Sequence, residues 1–295
     1  MRIPFTKMVG TGNDFVIVDT RRRPLSVLRP RWPAVSRAIC DRRQGIGADG
    51  LLVLEPSRRC DVRMRVFNPD GTEAHMCGNG ARCVALYLQN GARRGNAARW
   101  PMSIETGAGP LSARVQGHRV AMRMTDPTTL RLDQAIALEG RRLRYGFVNT
   151  GVPHIVVRVE SLDRVDVDRI GRALRRHRRF APQGTNVNFI QPDAKRPMRV
   201  RVRTYERGVE AETLACGTGA VASAVVHAVQ QRKARRAGQA GPCRVEVETR
   251  SGELLIVRCA VSLRGGRPQV AGVMLVGPAA RIFDGNLVWP LRNNR

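Results

Sequence analysis

The chain has 295 residues, 42% of them hydrophobic, which suffices for one large core or two ordinary domains and excludes a disordered polymer. The N-terminal segment has no apolar signal core, and no stretch approaches the roughly 18 uninterrupted apolar residues that span a bilayer, so no membrane role is expected and the cytoplasm is the expected compartment. The formal net charge of +27 points to polyanions, but the charge is nearly all arginine, scattered in runs such as Arg21–Arg23, Arg175–Arg179 and Arg232–Arg236 without interleaved aromatic rings. A solvated basic surface is therefore the favoured reading over nucleic-acid binding.

In chain order, Thr11-Gly12-Asn13-Asp14-Phe15-Val16-Ile17-Val18 comes first, then an alternating strand at 61–67. A helix begins near Gly78, carries Ala81, Val84, Ala85 and Leu88 at helical spacing, and stops at Asn90-Gly91. Glu105-Thr106-x-x-Gly109-x-Leu111 follows, and the Arg-Leu-Asp stretch near 126–140 reads as a linker. Beyond it, Thr150-Gly151-Val152-Pro153-His154-Ile155-Val156-Val157 echoes the first motif 139 positions later. The strand at 199–205 matches 61–67 at an offset of 138, and Cys216-Gly217-Thr218-Gly219-Ala220 matches Cys77-Gly78-Asn79-Gly80-Ala81 at 139. A second helix runs from about Gly217 to Gln231, and Glu248-Thr249-x-x-Gly252-x-Leu254 closes the series at an offset of 143.

Four matches in one order imply an internal duplication. The expected fold is α/β (α+β), with two pseudo-symmetric domains, strands wrapped around a central helix in each, and the active site in the cleft between them. The halves are placed at 1–126 and 127–269, with the last strand, about 270–284, available to pack back onto the first half. Both helices are apolar on most faces and so are expected to be buried.

Seven cysteines, at 40, 60, 77, 83, 216, 243 and 259, form an odd set with no C-x-x-C or C-x-x-H pair, so reduced thiols and no metal site are expected. Cys40, Cys60, Cys83, Cys243 and Cys259 read as small apolar residues. Cys77 and Cys216 differ, because each copy of the repeat places its thiol directly before Gly-x-Gly at the start of a buried helix. There, unpaired N–H groups and the positive end of the helix dipole favour an anion, either a thiolate or a bound carboxylate. Two equivalent acid/base groups on opposite sides of a carbon are what inversion at a stereocentre needs.

Asn68-Pro-Asp-Gly-x-Glu-Ala-x-Met-Cys77-Gly-Asn-Gly-Ala-Arg82 and Tyr205-Glu-Arg-Gly-Val-Glu-x-Glu-Thr-x-Ala-Cys216-Gly-Thr-Gly-Ala220 resemble the paired active-site motifs of the diaminopimelate epimerase family. The resemblance extends to Gly10-Thr-Gly-Asn-Asp-Phe15 and Gln44-Gly-Ile-Gly-Ala-Asp-Gly50 and covers nearly the whole chain. It implies cofactor-independent interconversion of LL- and meso-2,6-diaminopimelate, serving lysine and peptidoglycan precursor synthesis, by a homodimer. By that resemblance Cys77 and Cys216 are the catalytic pair, and the N–H groups of Gly78, Asn79, Gly217 and Thr218 hold the carboxylate at the reacting centre. Asn13, Gln44, Asn68, Asn186, Glu206 and Arg207 match substrate-binding positions, with Arg207 suited to the distal carboxylate, and His154 matches a family histidine near the site. The family often has Gly-Asn-Pro-His where this chain has Gly151-Val152-Pro153-His154, which removes one side-chain contact; Asn149 is the nearby substitute.

No lysine sits in a recognisable Schiff-base setting, so no pyridoxal cofactor is expected. Two alternatives stand beside this reading. One is a related two-base racemase acting on proline or hydroxyproline, for which Arg207 has no second carboxylate to bind. The other is a basic nucleic-acid-binding protein in which the cysteines are incidental.

Overall fold

The computed structural model describes residues 2–21, 31–92, 101–234, 241–264 and 267–289. Arg22, Arg23, Arg235 and Arg236 of the basic runs lie outside the described residues. The chain divides into two compact units, one made of Met1–Met122 with Gly277–Arg295 and the other of Arg123–Val276. No helix among the described residues is long and apolar enough to cross a membrane.

In unit 1, β1 (Arg2–Gly10) and β2 (Asn13–Asp19) form an antiparallel hairpin. Its two turn residues, Thr11 and Gly12, have φ of 52° and 82°, the left-handed pair that matches a two-residue turn to the twist of the strands. Helix α1 (Trp32–Cys40) opens with proline near its first position and aligns Trp32, Val35 and Ile39 on its buried face. Next come β3 (Gly50–Glu55), parallel to β2, and β4 (Val62–Phe67) and β5 (Glu73–Ala74), each antiparallel to its predecessor. Helix α2 (Gly78–Ala92) leads to β6 (Met102–Thr106), parallel to β4, and the antiparallel meander β7 (Gly109–Gln116) and β8 (Arg119–Arg123). A last strand, Ala280–Val288, pairs antiparallel with β1. Helix α1 packs on β3 and β4, whereas α2 contacts β1, β2, β4, β6 and β7. With helices on both faces, β3 is buried at every position, as a doubly covered strand must be.

Unit 2 repeats this order after one added strand. Antiparallel β9 (Thr128–Leu138), β10 (Arg141–Asn149) and β11 (Pro153–Arg158) are followed by α3 (Val167–Arg175). Then β12 (Asn186–Pro192) runs parallel to β11, and β13 (Arg199–Glu206) and β14 (Ala211–Thr213) are antiparallel to their predecessors. Helix α4 (Gly217–Ala234) precedes β15 (Gly241–Glu248), parallel to β13, and antiparallel β16 (Leu254–Arg264) and β17 (Arg267–Pro278); the strand at Ala280–Val288 is thus β18. Helix α3 is capped by the Asp166 carboxylate, which accepts from the Arg169 N–H at 3.1 Å. Helix α4 is buried at every position from Gly219 to Val229, and β9 to β13, β15 and β16 all pack on it. A helix with no polar face is stable only where protein surrounds it.

The α/β reading of the sequence, with a strand-wrapped helix in each half, describes both units. One reading needs correction: the stretch near 126–140 is not a linker, because 128–138 is strand β9, paired with β10 from Leu138 to Thr128. Leu130 and Leu132 alternate with exposed Arg131 and Asp133, a half-buried period-2 pattern that its charged residues disguised. The helices also run slightly past their expected ends, to Ala92 and Ala234.

Candidate active site

Cys77 and Cys216 occupy the same position on two like helices, the N-cap. Each Sγ accepts a hydrogen bond from the third residue of its helix, Gly80 N–H to Cys77 and Gly219 N–H to Cys216, both at 3.4 Å. The first-turn N–H groups of Gly78, Asn79, Gly217 and Thr218 have no intrahelical acceptor, by the geometry of an α-helix, and form an anion-binding end. A Cβ at Gly78 would meet nothing within 4 Å, so that side of the cap is open to a ligand, and one at Gly217 would meet only Leu275 Cδ2 at 3.3 Å.

In unit 1 the cap is tied to the β1–β2 turn through side chains. Asn79 Nδ2 donates to Asn13 Oδ1 at 2.5 Å, and Asn13 Nδ2 donates to Asp49 Oδ2 at 3.0 Å. Arg82, one turn into α2, donates through Nη2 to both Asn79 Oδ1 and Thr11 Oγ1 at 2.5 Å. This arginine is fully buried, and its Nε and Nη1 have no partner among the described residues. Burial holds its pKa down, and its charge acts electrostatically on Cys77 and Cys83. Asp49 continues the network to Arg42, which also bridges Asp14, and Asp14 pairs with the buried Lys7 at 2.7 Å. Burial raises the Asp14 pKa, but hydrogen bonds from Arg42 and Lys7 outweigh it and bring it to about 2. Of the other unit 1 residues read from sequence, Gln44 is exposed on this loop, its N–H on Asp41 Oδ1 at 2.7 Å. Asn68 builds the turn after β4, its Nδ2 on Thr72 Oγ1 at 2.9 Å and its carbonyl accepting from Gly71 N–H at 2.9 Å.

In unit 2 the Cys216 thiol has Thr218 Oγ1 at 3.5 Å. Glu206 is its acidic neighbour. Burial raises the pKa of Glu206, opposed by hydrogen bonds with Thr213 and Cys216. Burial pushes Cys216 up to about 12, the Glu206 charge adding to it against Thr218 and Gly219 N–H. The expectation that the helix cap drives this thiol towards thiolate is thus corrected: desolvation and a like charge outweigh the cap. His154 is wholly buried and neutral, its pKa lowered to about 3 by burial and by the Arg207 charge. Asn186 joins the neighbouring segments, donating to Pro153 O at 3.1 Å and accepting from Arg207 N–H at 2.8 Å. Arg207 is half-buried as a residue, and its Nη1 donates to Gln183 O at 3.3 Å in an exposed contact. Asn149 Oδ1 accepts from Gly151 N–H at 3.0 Å, which commits that oxygen to the turn beside Val152.

The family model for diaminopimelate epimerase matches residues 5–130 and 146–270. A curated diaminopimelate epimerase from Aquifex aeolicus is 39% identical over 291 residues, covering 96% of this chain and 97% of the relative. The chain belongs to the diaminopimelate epimerase family. Its class is therefore isomerase, in the lysine biosynthesis pathway. The Bacillus anthracis phenazine biosynthesis protein of the PhzF family superimposes with a TM-score of 0.67 at 18% identity, covering 98% of this chain and 99% of that one. A hydroxyproline epimerase from Agrobacterium vitis gives 0.65 at 18% identity, covering 98% and 93%. Those two likenesses concern the fold of the epimerase family and carry no substrate.

Within that fold, two structural roles escaped the sequence reading. Arg82 was visible as the one charged residue inside an apolar helix, three residues after Asn79 and so on its face, but burial gives it its meaning. Asn188 sits in strand β12, where only the strand register reveals what it touches.

Proposed function

We propose that this chain epimerises LL-2,6-diaminopimelate to meso-diaminopimelate without pyridoxal, with Cys77 and Cys216 as the acid/base pair. The observation that carries the reading is the duplicated cap: in each unit a cysteine Sγ accepts the N–H of the third helical residue at 3.4 Å, leaving the two preceding N–H groups for a carboxylate. One thiol, as thiolate, takes the α-proton; the electron pair passes into the α-carboxylate, whose growing charge the cap N–H groups stabilise. The other thiol delivers its proton to the opposite face, and the roles exchange in the reverse direction. The raised pKa of Cys216 supports its starting as the proton-bearing member. Arg207 is assigned to the distal carboxylate, as a fork that matches it in two hydrogen bonds, and Asn13, Gln44, Asn68, His154, Asn186 and Glu206 to the remaining substrate contacts. The two units are read as the products of an internal duplication, and the enzyme as a cytoplasmic homodimer.

The test is incubation of the purified protein with LL-diaminopimelate in D2O under reducing conditions, with chiral and mass analysis of early product. Meso product carrying deuterium at the inverted centre is expected, because the delivering thiol exchanges with solvent. Absence of meso product sinks the substrate assignment, and product that retains the original proton sinks the two-thiol mechanism. Light scattering reads the dimer, and a spectrum without cofactor absorbance, with activity surviving carbonyl reagents, checks the pyridoxal-free reading.

A further inference from the structure

Three equivalent positions differ in kind between the duplicated sheets. In unit 1 they hold Phe15 on β2, Leu52 on β3 and Val66 on β4; in unit 2 they hold His154 on β11, Asn188 on β12 and Thr204 on β13, all six buried. The strand registers establish the equivalence. Leu52 pairs with Val66 as Asn188 pairs with Thr204, and Ile17 lies beside Leu52 as Val156 lies beside Asn188. The cap glycines mark the same place independently: a Cβ on Gly80 would meet Leu52 Cδ2 at 3.0 Å, and one on Gly219 would meet Asn188 Oδ1 at 2.5 Å. Asn188 therefore lies against the helical turn that Cys216 caps.

The Asn188 amide is fully committed. Its Nδ2 donates to Ile155 O at 2.9 Å and to His154 Nδ1 at 3.1 Å, and its Oδ1 accepts the Thr204 hydroxyl at 3.0 Å. A backbone carbonyl only accepts, so Ile155 fixes which end of the amide is NH2. His154 Nδ1 must then be the acceptor, and the proton of the neutral ring resides on Nε2. That Nε2 is buried and has no partner among the described residues. A buried donor without an acceptor is destabilising, and unit 1 shows that the same sheet closes with phenylalanine, leucine and valine. The fold does not require the polar triad.

We infer that Asn188 is a positioning residue that locks His154 as the neutral Nε2–H tautomer, and that this hydrogen is donated to an anionic oxygen of the bound amino acid. The inference rests on the reading of His154 as a substrate-binding residue.

The test uses the full chain labelled with 15N-histidine and long-range proton–nitrogen NMR, the His154 signals among the five histidines being assigned by their loss in His154→Gln. A protonated Nε2 and a bare Nδ1, unchanged from pH 6 to 9, are expected in the wild type. In Asn188→Asp the carboxylate accepts where the amide donated, so the tautomer inverts. In Asn188→Leu, the unit 1 residue, both tautomers populate. Each variant should lose about tenfold or more in kcat/KM for diaminopimelate, the worth of one buried hydrogen bond. An Nδ1–H tautomer in the wild type, or no tautomer change in either variant, overturns the role of Asn188. An inverted tautomer with unchanged kcat/KM overturns the donor role of His154. A wild type that has the assigned tautomer yet turns over no diaminopimelate counts against the substrate assignment instead, which keeps the two failures apart.

Discussion

Around Cys77 the polar groups belong to the hairpin turn and to the helix itself, Thr11, Asn13, Asn79 and Arg82, and the sheet beneath is apolar. Around Cys216 the balance shifts: the helix keeps Thr218 beside the thiol but carries Val221 where its twin carries Arg82, and the polar groups His154, Asn188 and Thr204 lie in the sheet. Both caps keep the same backbone, the same glycines and the same 3.4 Å thiol contact. The two halves thus share the cap and differ in what surrounds it. The buried polar network of each half stands on a different element, and each leaves nitrogens without a partner among the described residues, Arg82 Nε and Nη1 in unit 1 and His154 Nε2 in unit 2. The thiols consequently sit in unlike fields, a buried guanidinium acting on Cys77 and a carboxylate on Cys216. On the two-thiol reading proposed above, one thiol starts with its proton and the other ionised, and unequal fields favour that difference.

The comparison breaks first if either cysteine proves dispensable. Cys77→Ala and Cys216→Ala should each lower epimerisation in both directions by at least about 10³-fold, measured as meso product from LL substrate and the reverse. Next in size is Arg82→Val, which gives unit 1 the residue of unit 2. It strands Asn79 Oδ1 and Thr11 and removes the cation, so kcat/KM should fall about 10- to 100-fold, whereas Val221→Ala should change kcat/KM by less than about threefold. Equal losses from the two substitutions would remove the asymmetry.

A smaller effect sharpens the other side. Glu206→Gln deletes the charge that raises Cys216, so the pH midpoint for alkylation of Cys216 by a small thiol reagent, followed by mass mapping in the Cys77→Ala background, should move down. An unmoved midpoint leaves burial alone as the cause. The smallest effect is on stability. His154 stays neutral in the folded chain down to about pH 3, whereas an unfolded histidine binds its proton near pH 6.5. Between those values the unfolded state holds the extra proton, so stability is complete above about pH 6.5 and declines as pH falls towards 3. In His154→Gln the denaturation midpoint should depend less steeply on pH across that window.

Much of this was legible in the sequence because duplication supplies an internal control. The strand at 61–67, both cap cysteines and the starts of both long helices recur at nearly constant offsets, and recurrence marks them where composition alone does not. The outer helices α1 and α3 have no matched pair of motifs, and α3 hides its apolar face among arginines. Strand β9 was lost to its charges. The polar triad was unreadable for a different reason: His154, Asn188 and Thr204 are 34 and 16 positions apart, and only the pairing of β11, β12 and β13 brings them together. Asn13 and Asn79 were legible as site residues, but the sequence held no sign that their amides bind each other.

The pairing of β18 with β1, from Arg2 opposite Val288 to Val9 opposite Ala280, sets an order of events during synthesis. Strand β1 waits for β18, made long after it, while every strand from β9 to β16 finds its partners among β9 to β17. Unit 2 is therefore the part able to fold on a nascent chain, and unit 1 carries an open edge on β1 until translation has passed Val288. Unpaired edges template aggregation, and closing a loop of this length is slow relative to local pairing. Loss of β18 should then be felt less as missing stability in the folded enzyme than as poor yield of it, with chaperone supply while β1 awaits its partner deciding how much chain is recovered.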